Sequence, residues 1–176
     1  TVKAKLIEAQ LIETFLLVTI NHQSLIATKA HRVCQEAKGR PVMEFGARRA
    51  QGYDAAHYGA RAAYIGGVAG TATTSAGKAF GVPVLGTMAH SFVQSFDSEY
   101  EAFKAYAKVY PDACVLLVDT YDTLKSGVPN AIKVAEEVLA PMGKKLAGIR
   151  LDSGDIAYLT KKARMRSEEH TSELQS

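Results

Sequence analysis

The sequence has little cysteine, and the cysteines it has lie far apart. Only two of the 176 residues are cysteines, Cys34 and Cys114, and neither has Cys or His neighbours at the spacing of metal ligands. This pattern argues against a zinc site and against a disulfide scaffold. We therefore expect a protein of the reducing cytoplasm, with no metal held by cysteine.

The sequence also lacks a long uncharged apolar run. Its densest apolar stretch, residues 6–20, is interrupted by Glu8 and Glu13 and falls short of the roughly 18 residues that a membrane span needs. The net charge is small, because the sequence has 21 Lys and Arg residues and 18 Asp and Glu residues, which gives +3. With 47% hydrophobic residues, the composition is typical of a globular protein, and we expect neither a membrane nor a nucleic acid as partner.

The two ends of the sequence do not look native. The chain begins at Thr1, and residues 166–176 hold a single aliphatic side chain, Leu174. That last segment resembles the translation of a sequencing-library adapter, so we predict a non-native tail at 166–176. We expect residues 1–165 to be the central part of a longer protein.

Helical and strand patterns alternate along residues 41–165. The spacing of apolar residues first predicts a buried helical lead-in within residues 1–40, broken near Asn21. Strands are then predicted to begin near residues 42, 83, 114 and 146. Helices are predicted over 54–64, 71–80 and 97–110, from Pro129 to Gly143, and from Asp155 to the tail.

Strands that each precede a helix indicate an α/β fold with a parallel sheet. Either a βα barrel or an open doubly wound sheet fits this order. The sequence contains neither G-x-G-x-x-G nor G-x-x-x-x-G-K-[ST], so no nucleotide-binding fingerprint favours the open sheet. Four βα units would make about half of an eight-unit barrel.

Each predicted strand is followed by polar residues of kinds that are uncommon in a hydrophobic core. In a βα barrel these ends share one rim, where the chemistry takes place. Arginines, a histidine and carboxylates at one rim suit a substrate with phosphates and sugar hydroxyls, with carboxylates also able to hold Mg²⁺. The candidate residues are Arg48 and Arg49, Thr87 and His90, Asp119 and Asp122, and Arg150, Asp152 and Asp155.

Each of these residues also has a purely structural interpretation. Arg48 and Arg49 could be a solvated pair, and His90 a hydrogen-bonded surface residue. Asp119 could cap a strand end, and the segment 152–155 could be a turn followed by a helix N-cap. The convergence of all four strand ends favours a functional site.

Four segments at these strand ends resemble nicotinate phosphoribosyltransferase in its bacterial form. They are Glu-Phe-Gly-Ala-Arg-Arg-Ala-Gln-Gly-Tyr-Asp at 44–54, Gly-Thr-Met-Ala-His-Ser-Phe at 86–92, Val-Asp-Thr-Tyr-Asp-Thr-Leu at 118–124 and Gly-Ile-Arg-Leu-Asp-Ser-Gly-Asp at 148–155. The resemblance implies a type II phosphoribosyltransferase, an irregular α/β barrel with an accessory domain that works as a homodimer. The implied reaction joins nicotinate to phosphoribosyl pyrophosphate with coupled ATP hydrolysis, and Mg²⁺ assists it.

The resemblance also implies roles for individual residues. His90 matches the histidine that ATP phosphorylates, and Asp119 a supporting carboxylate. Thr87 and Arg150 match residues that contact nicotinate. Arg48 matches an arginine needed in the same site, and Asp152 a residue that holds ribose hydroxyls.

Two alternatives stay open. A nicotinamide phosphoribosyltransferase shares the histidine and a segment like 150–155, although the context of Phe45 and Thr87 matches the nicotinate branch better. The chain could also be an inactive fragment of either enzyme, and we expect the isolated chain to lack turnover.

Overall fold

The structure is a computed structural model that describes the backbone of residues 2–173 and side chains as far as residue 168. Within it the chain divides into two compact units, residues 1–86 and residues 87–176. Each unit contains one small two-stranded parallel sheet with helices around it. The predicted α/β class with parallel strands is confirmed at this level, and the closure of a barrel stays a prediction.

The first unit consists of three helices and a short parallel strand pair. Its elements are α1 (Leu6–Glu36), β1 (Met43–Glu44), a 3₁₀ turn (Ala47–Arg49), α2 (Tyr53–Ile65), β2 (Gly70–Thr71) and α3 (Thr74–Phe80). Met43 pairs with Gly70 and Glu44 with Thr71, and Val84 adds a single parallel bridge to Thr71.

Helix α1 runs through Asn21 without a break, so the predicted interruption is wrong. Between residues 6 and 36 the sequence has no glycine or proline, and a single asparagine costs too little helix propensity to end a helix. The predicted burial is wrong as well, because no residue of α1 is buried. The helix packs on α2 along one side, where a Cβ at Gly66 would collide with the carbonyl oxygen of Ala27.

The segment between α2 and residue 87 also differs from the prediction. Gly70 and Thr71 form β2 instead of the first turn of a helix, and α3 begins only at Thr74. The strand predicted from Pro83 is reduced to the bridge at Val84. Small and polar residues at 69–74 carry no alternating apolar pattern, which is why this strand was missed.

The second unit holds the longer parallel pair and four helices. Its elements are α4 (His90–Gln94), α5 (Glu99–Val109), a 3₁₀ turn (Pro111–Ala113), β3 (Val115–Leu117), α6 (Val128–Val134), β4 (Gly148–Arg150) and α7 (Ile156–Glu173). Wider π turns at Thr123–Gly127 and Ala135–Leu139 and a 3₁₀ turn at Ala140–Met142 extend α6 at both ends. Helix α4 was not predicted.

The core of the second unit lies around β3. Residues 114 and 116–118 are fully buried, and Phe103, Val134 and Leu139 pack with them in one cluster. Gly127 lets the π turn approach the strand end, since a Cβ there would overlap the carbonyl oxygen of Val118. The predicted cap of α5 is present, because the Glu101 backbone N–H donates to Ser98 Oγ at 3.3 Å.

Helix α7 continues to Glu173, beyond residue 165, where the predicted tail begins. The non-native origin of residues 166–176 stays a prediction from sequence, and 174–176 lie outside the described residues. In the part of the chain that the structure describes, no helix is both long and apolar enough to cross a bilayer.

Candidate active site

Four of the predicted site residues of the second unit come together at the carboxyl ends of β3 and β4, namely His90, Asp119, Arg150 and Asp152. The strands are parallel and in register, with Leu117 opposite Arg150. The ladder continues one step further, because the Val118 backbone N–H donates to the carbonyl oxygen of Arg150 at 3.1 Å. Asp119 and Asp152 therefore leave their strands side by side.

The imidazole of His90 lies against both strand ends. His90 is the first residue of α4. Its Nδ1 is 3.1 Å from Thr120 Oγ1, and its Nε2 is 3.5 Å from Asp152 Oδ2. The ring is thus held between a hydroxyl that follows β3 and a carboxylate that follows β4.

Arg150 and Asp152 form the charged part of the site. Nη2 of Arg150 lies 2.8 Å from Asp152 Oδ2, and Nη1 of Arg150 donates to the carbonyl oxygen of Met88 at 3.2 Å. The side chains of Arg150 and Asp152 are 26% and 37% exposed, and that of His90 is 39% exposed. A ligand from solvent can therefore reach all three.

Asp119 lies beneath this exposed layer and is buried. Its Oδ2 accepts the backbone N–H of Asp152 at 2.8 Å and the hydroxyl of Ser153 at 2.6 Å. Its Oδ1 is buried and has no hydrogen-bond partner within the described structure. One carboxylate oxygen thus orders the turn after β4, and the other has its hydrogen-bonding capacity unused within the described structure.

Three predicted residues of the second unit, Thr87, Asp122 and Asp155, make no hydrogen bond to this cluster within the described structure, and Arg48 is described separately with the first unit. Thr87 is next to Met88 in the chain, and its buried Oγ1 has no hydrogen-bond partner among the described residues. Arg48 belongs to the first unit, where it lies exposed on the 3₁₀ turn after β1. Asp122 caps the π turn instead, accepting the N–H groups of Leu124 and Lys125. Asp155 likewise caps α7 by accepting the Tyr158 N–H.

Sequence reasoning missed Thr120 and Ser153. Both lie inside segments that the sequence had singled out, at 119–122 and 152–155, but neither had been given a role. The available signal was position, because each directly follows an aspartate at a strand end. A hydroxyl at such a place is well placed to bond a neighbouring side chain.

The cluster combines an imidazole with a guanidinium and with carboxylates that accept hydrogen bonds. An imidazole can take up a phosphoryl group, and a guanidinium binds carboxylates and phosphates through paired hydrogen bonds. The thiol of Cys114, at the other end of β3, does not suit nucleophilic chemistry either, since burial raises its pKa above the usual value. In the described residues no group of three or more His, Cys, Asp and Glu could hold a metal ion.

The sequence model of the nicotinate phosphoribosyltransferase (NAPRTase) family matches residues 41–170 of this chain. This match covers the β1, β3 and β4 ends and the whole cluster around His90.

Individual proteins with that name are similar over nearly the whole chain. Nicotinate phosphoribosyltransferase of Bacillus subtilis is 56% identical over 170 residues, which is 96% of this chain and 34% of that protein. The Dictyostelium discoideum enzyme is 41% identical over 203 aligned residues, with 93% of this chain and 34% of that protein covered. The chain spans about one third of the length of these curated relatives.

A solved structure shares the fold. The crystal structure of human nicotinic acid phosphoribosyltransferase superposes with a TM-score of 0.84 at 32% identity. The superposition covers 95% of this chain and 43% of the human chain.

Proposed function

The chain belongs to the nicotinate phosphoribosyltransferase family, and we propose that it is a segment of an enzyme joining nicotinate to phosphoribosyl pyrophosphate. The products would be nicotinate mononucleotide and pyrophosphate, in the first step of NAD salvage from nicotinate. The single observation that carries the proposal is that one carboxylate, Asp152, contacts both Arg150 and His90 at the carboxyl end of a parallel strand pair.

Nicotinate carries a carboxylate, and the site offers it a cation and a hydroxyl. The guanidinium of Arg150 would hold the carboxylate oxygens in a paired geometry. The hydroxyl of Thr87, buried and unpartnered among the described residues, would donate a further hydrogen bond. An uncharged carboxamide gains less from the guanidinium, so this pair supports nicotinate over nicotinamide.

The carboxylates suit the sugar and the leaving group. Asp152, which is partly exposed, would accept hydrogen bonds from ribose hydroxyls. Substitution at the anomeric carbon expels pyrophosphate, whose developing charge needs cations, and the family resemblance supports a substrate-binding role for Arg48.

Mg²⁺ would contribute charge at the leaving pyrophosphate when it is bound. A magnesium ion in such enzymes is held by one or two carboxylates, and substrate phosphates and water supply the remaining oxygens. The residues present fit this arrangement through Asp119, whose Oδ1 is a buried oxygen that no group in the described structure satisfies.

ATP would act as co-substrate through His90. Its imidazole is exposed enough to receive a phosphoryl group, and a charged phosphohistidine would favour states that hold phosphoribosyl pyrophosphate. This coupling places the enzyme among ATP-dependent ligases as well as transferases. A partial irregular barrel, a homodimer of the whole protein and a cytoplasmic location complete the proposal.

A segment swap tests the proposal. Residues 1–165 of this chain would replace the matching segment of the Bacillus subtilis enzyme, and the swapped enzyme would be offered nicotinate and nicotinamide in competition. We expect nicotinate mononucleotide as the main product. A folded swap enzyme that prefers the amide would establish the nicotinamide alternative, and one that turns over neither base would contradict the proposed function.

A further inference from the structure

Glu44 lies at the end of β1 and has no role in the reaction described so far. It is the last residue of the strand and is half-buried. Its Oε2 accepts a hydrogen bond from the hydroxyl of Thr71 at 2.5 Å, and its Oε1 accepts one from the backbone N–H of Gly46 at 2.5 Å. The carboxylate therefore bonds to the neighbouring strand β2 and to the turn that follows β1.

The hydroxyl of Thr71 is itself oriented by a second hydrogen bond. Thr71 is fully buried and lies opposite Glu44 in the register of the two strands. Its Oγ1 accepts the backbone N–H of Thr73 at 2.9 Å, so its one proton points to the carboxylate. An ionised carboxylate accepts hydrogen bonds and donates none, and it matches both of the donors that face Glu44.

The turn that carries Arg48 begins at the peptide that Glu44 holds. The carbonyl oxygen of Gly46 accepts the backbone N–H of Arg49 at 2.9 Å, which closes the 3₁₀ turn Ala47–Arg49. Gly46 is thus bonded at its N–H by Glu44 and at its carbonyl oxygen by Arg49. Arg48 lies in the middle of this turn, so a chain of hydrogen bonds runs from β2 through Glu44 to the backbone around Arg48.

We propose that Glu44 is a positioning residue, whose carboxylate joins the turn after β1 to β2 and so holds Arg48 in place for an anionic substrate. The inference rests on the proposed function in one respect, the role of Arg48. Its geometry belongs to the first unit alone. The second unit has the same kind of contact, because Asp119 at the end of β3 also accepts one backbone N–H and one hydroxyl.

Glu44→Gln tests the contact with little change in side-chain size. An amide has one acceptor oxygen, so its NH₂ group must face either the hydroxyl of Thr71 or the N–H of Gly46. In the ¹⁵N-labelled 176-residue chain we expect the Gly46 amide proton to move upfield and the heteronuclear NOE of residues 47–49 to fall. Glu36→Gln, at an exposed glutamate of α1, should change neither.

Gly46→Ala should break the same contact from the other side. The backbone at Gly46 has φ −83° and ψ −6°, which alanine adopts without strain. A Cβ there would lie 2.9 Å from Oε1 of Glu44, and the flexible carboxylate should move away. We expect the heteronuclear NOE of residues 47–49 to fall as in Glu44→Gln. The signal lost in this variant also assigns Gly46 among the 14 glycines.

The swap enzyme adds a kinetic readout that a role in folding alone would not give. We expect Glu44→Gln to raise KM for phosphoribosyl pyrophosphate by about fivefold, as loss of one hydrogen bond would, with little change in kcat. In an Arg48→Ala enzyme the same substitution should have no further effect on KM, because Glu44 acts through Arg48.

Two results would overturn the proposal. One is a folded Glu44→Gln chain in which the Gly46 amide proton and the NOE of residues 47–49 stay as they were. The other is a rise in KM from Glu44→Gln that is the same with and without Arg48. A swap enzyme that is inactive with Glu44 in place would contradict the proposed function alone, and the NMR comparison would still decide whether Glu44 holds the turn.

Discussion

The backbone N–H of Asp152 donates to Oδ2 of Asp119 across 2.8 Å, which ties the turn after β4 to the end of β3. The same Asp152 presents its side chain to Arg150 and His90. A buried carboxylate thus fixes the backbone of a residue whose partly exposed carboxylate contacts the guanidinium of Arg150 and the imidazole of His90. The position of Asp152 in the site therefore depends on Asp119, although Asp119 itself is buried below the exposed side chains.

Removing that carboxylate should loosen the turn after β4. In the 176-residue chain we expect Asp119→Ala to speed hydrogen exchange of the Asp152 amide by about tenfold or more, because a hydrogen bond to a charged group is lost. Exchange measured by NMR checks this. Asp112→Ala, at an exposed aspartate paired with Lys144, is the matched control and should leave the Asp152 amide unchanged. Equal exchange in Asp119→Ala and the unsubstituted chain would contradict the role of Asp119.

The strand ends were predictable because apolar runs and the polar residues that follow them are local signals. Cys114–Val118 is such a run, and the structure places β3 within it, with Asp119 directly after it. The partners of those polar residues were not predictable in the same way. The contact between Thr120 and His90 joins residues 30 positions apart, and only the parallel pairing of the strands brings them together.

The first unit was predicted less well, for two physical reasons. The apolar spacing of α1 predicted burial, but burial depends on what packs against a helix and not on its own sequence. The strand at Gly70–Thr71 is too short to show alternation, and its backbone hydrogen bonds to Pro83 and Leu85 join residues that are distant in the sequence. Helix α2 was predicted within one residue at each end, because its alanine-rich pattern is long and uninterrupted.

Replacing Arg150 with lysine should distinguish the contribution of its positive charge from that of its paired hydrogen bonds. In the swap enzyme we expect Arg150→Lys to lower kcat/KM for nicotinate by about tenfold or more, since lysine keeps the charge but loses the paired hydrogen bonds. Steady-state kinetics at varied nicotinate measures this. Arg164→Lys is the control, because the Arg164 side chain is largely exposed and lies outside the cluster around His90. An Arg150→Lys enzyme with unchanged kcat/KM would show that the guanidinium does not hold the substrate carboxylate.

Gly127 should tolerate no side chain. A Cβ there would overlap the carbonyl oxygen of Val118, and relief requires the π turn or β3 to shift. We expect Gly127→Ala to lower the free energy of unfolding by about 1–3 kcal/mol, the usual cost of overpacking. Gly148→Ala is the matched control, because a Cβ at Gly148 meets no atom within 4 Å. Urea denaturation measures the free energy of unfolding of both variants. Equal denaturation midpoints for the two would contradict the close approach of Gly127 to the carbonyl oxygen of Val118.

The two cysteines should differ in reactivity. Burial raises the pKa of the Cys114 thiol and excludes reagents from it, whereas Cys34 is partly exposed. At neutral pH we expect a maleimide to label Cys34 in the folded chain and Cys114 only after denaturation. Mass spectrometry of Cys34→Ser and Cys114→Ser distinguishes the sites. Rapid labelling of folded Cys34→Ser would show that Cys114 is accessible.

The most direct test of the central claim is the initial rate of nicotinate mononucleotide formation by the swap enzyme, with and without His90→Asn, in the presence of ATP. The account predicts turnover with His90 and a loss of the ATP-dependent rate without it, because His90 is the group proposed to accept the phosphoryl group. ATP stimulation that is the same in the two enzymes would contradict the account.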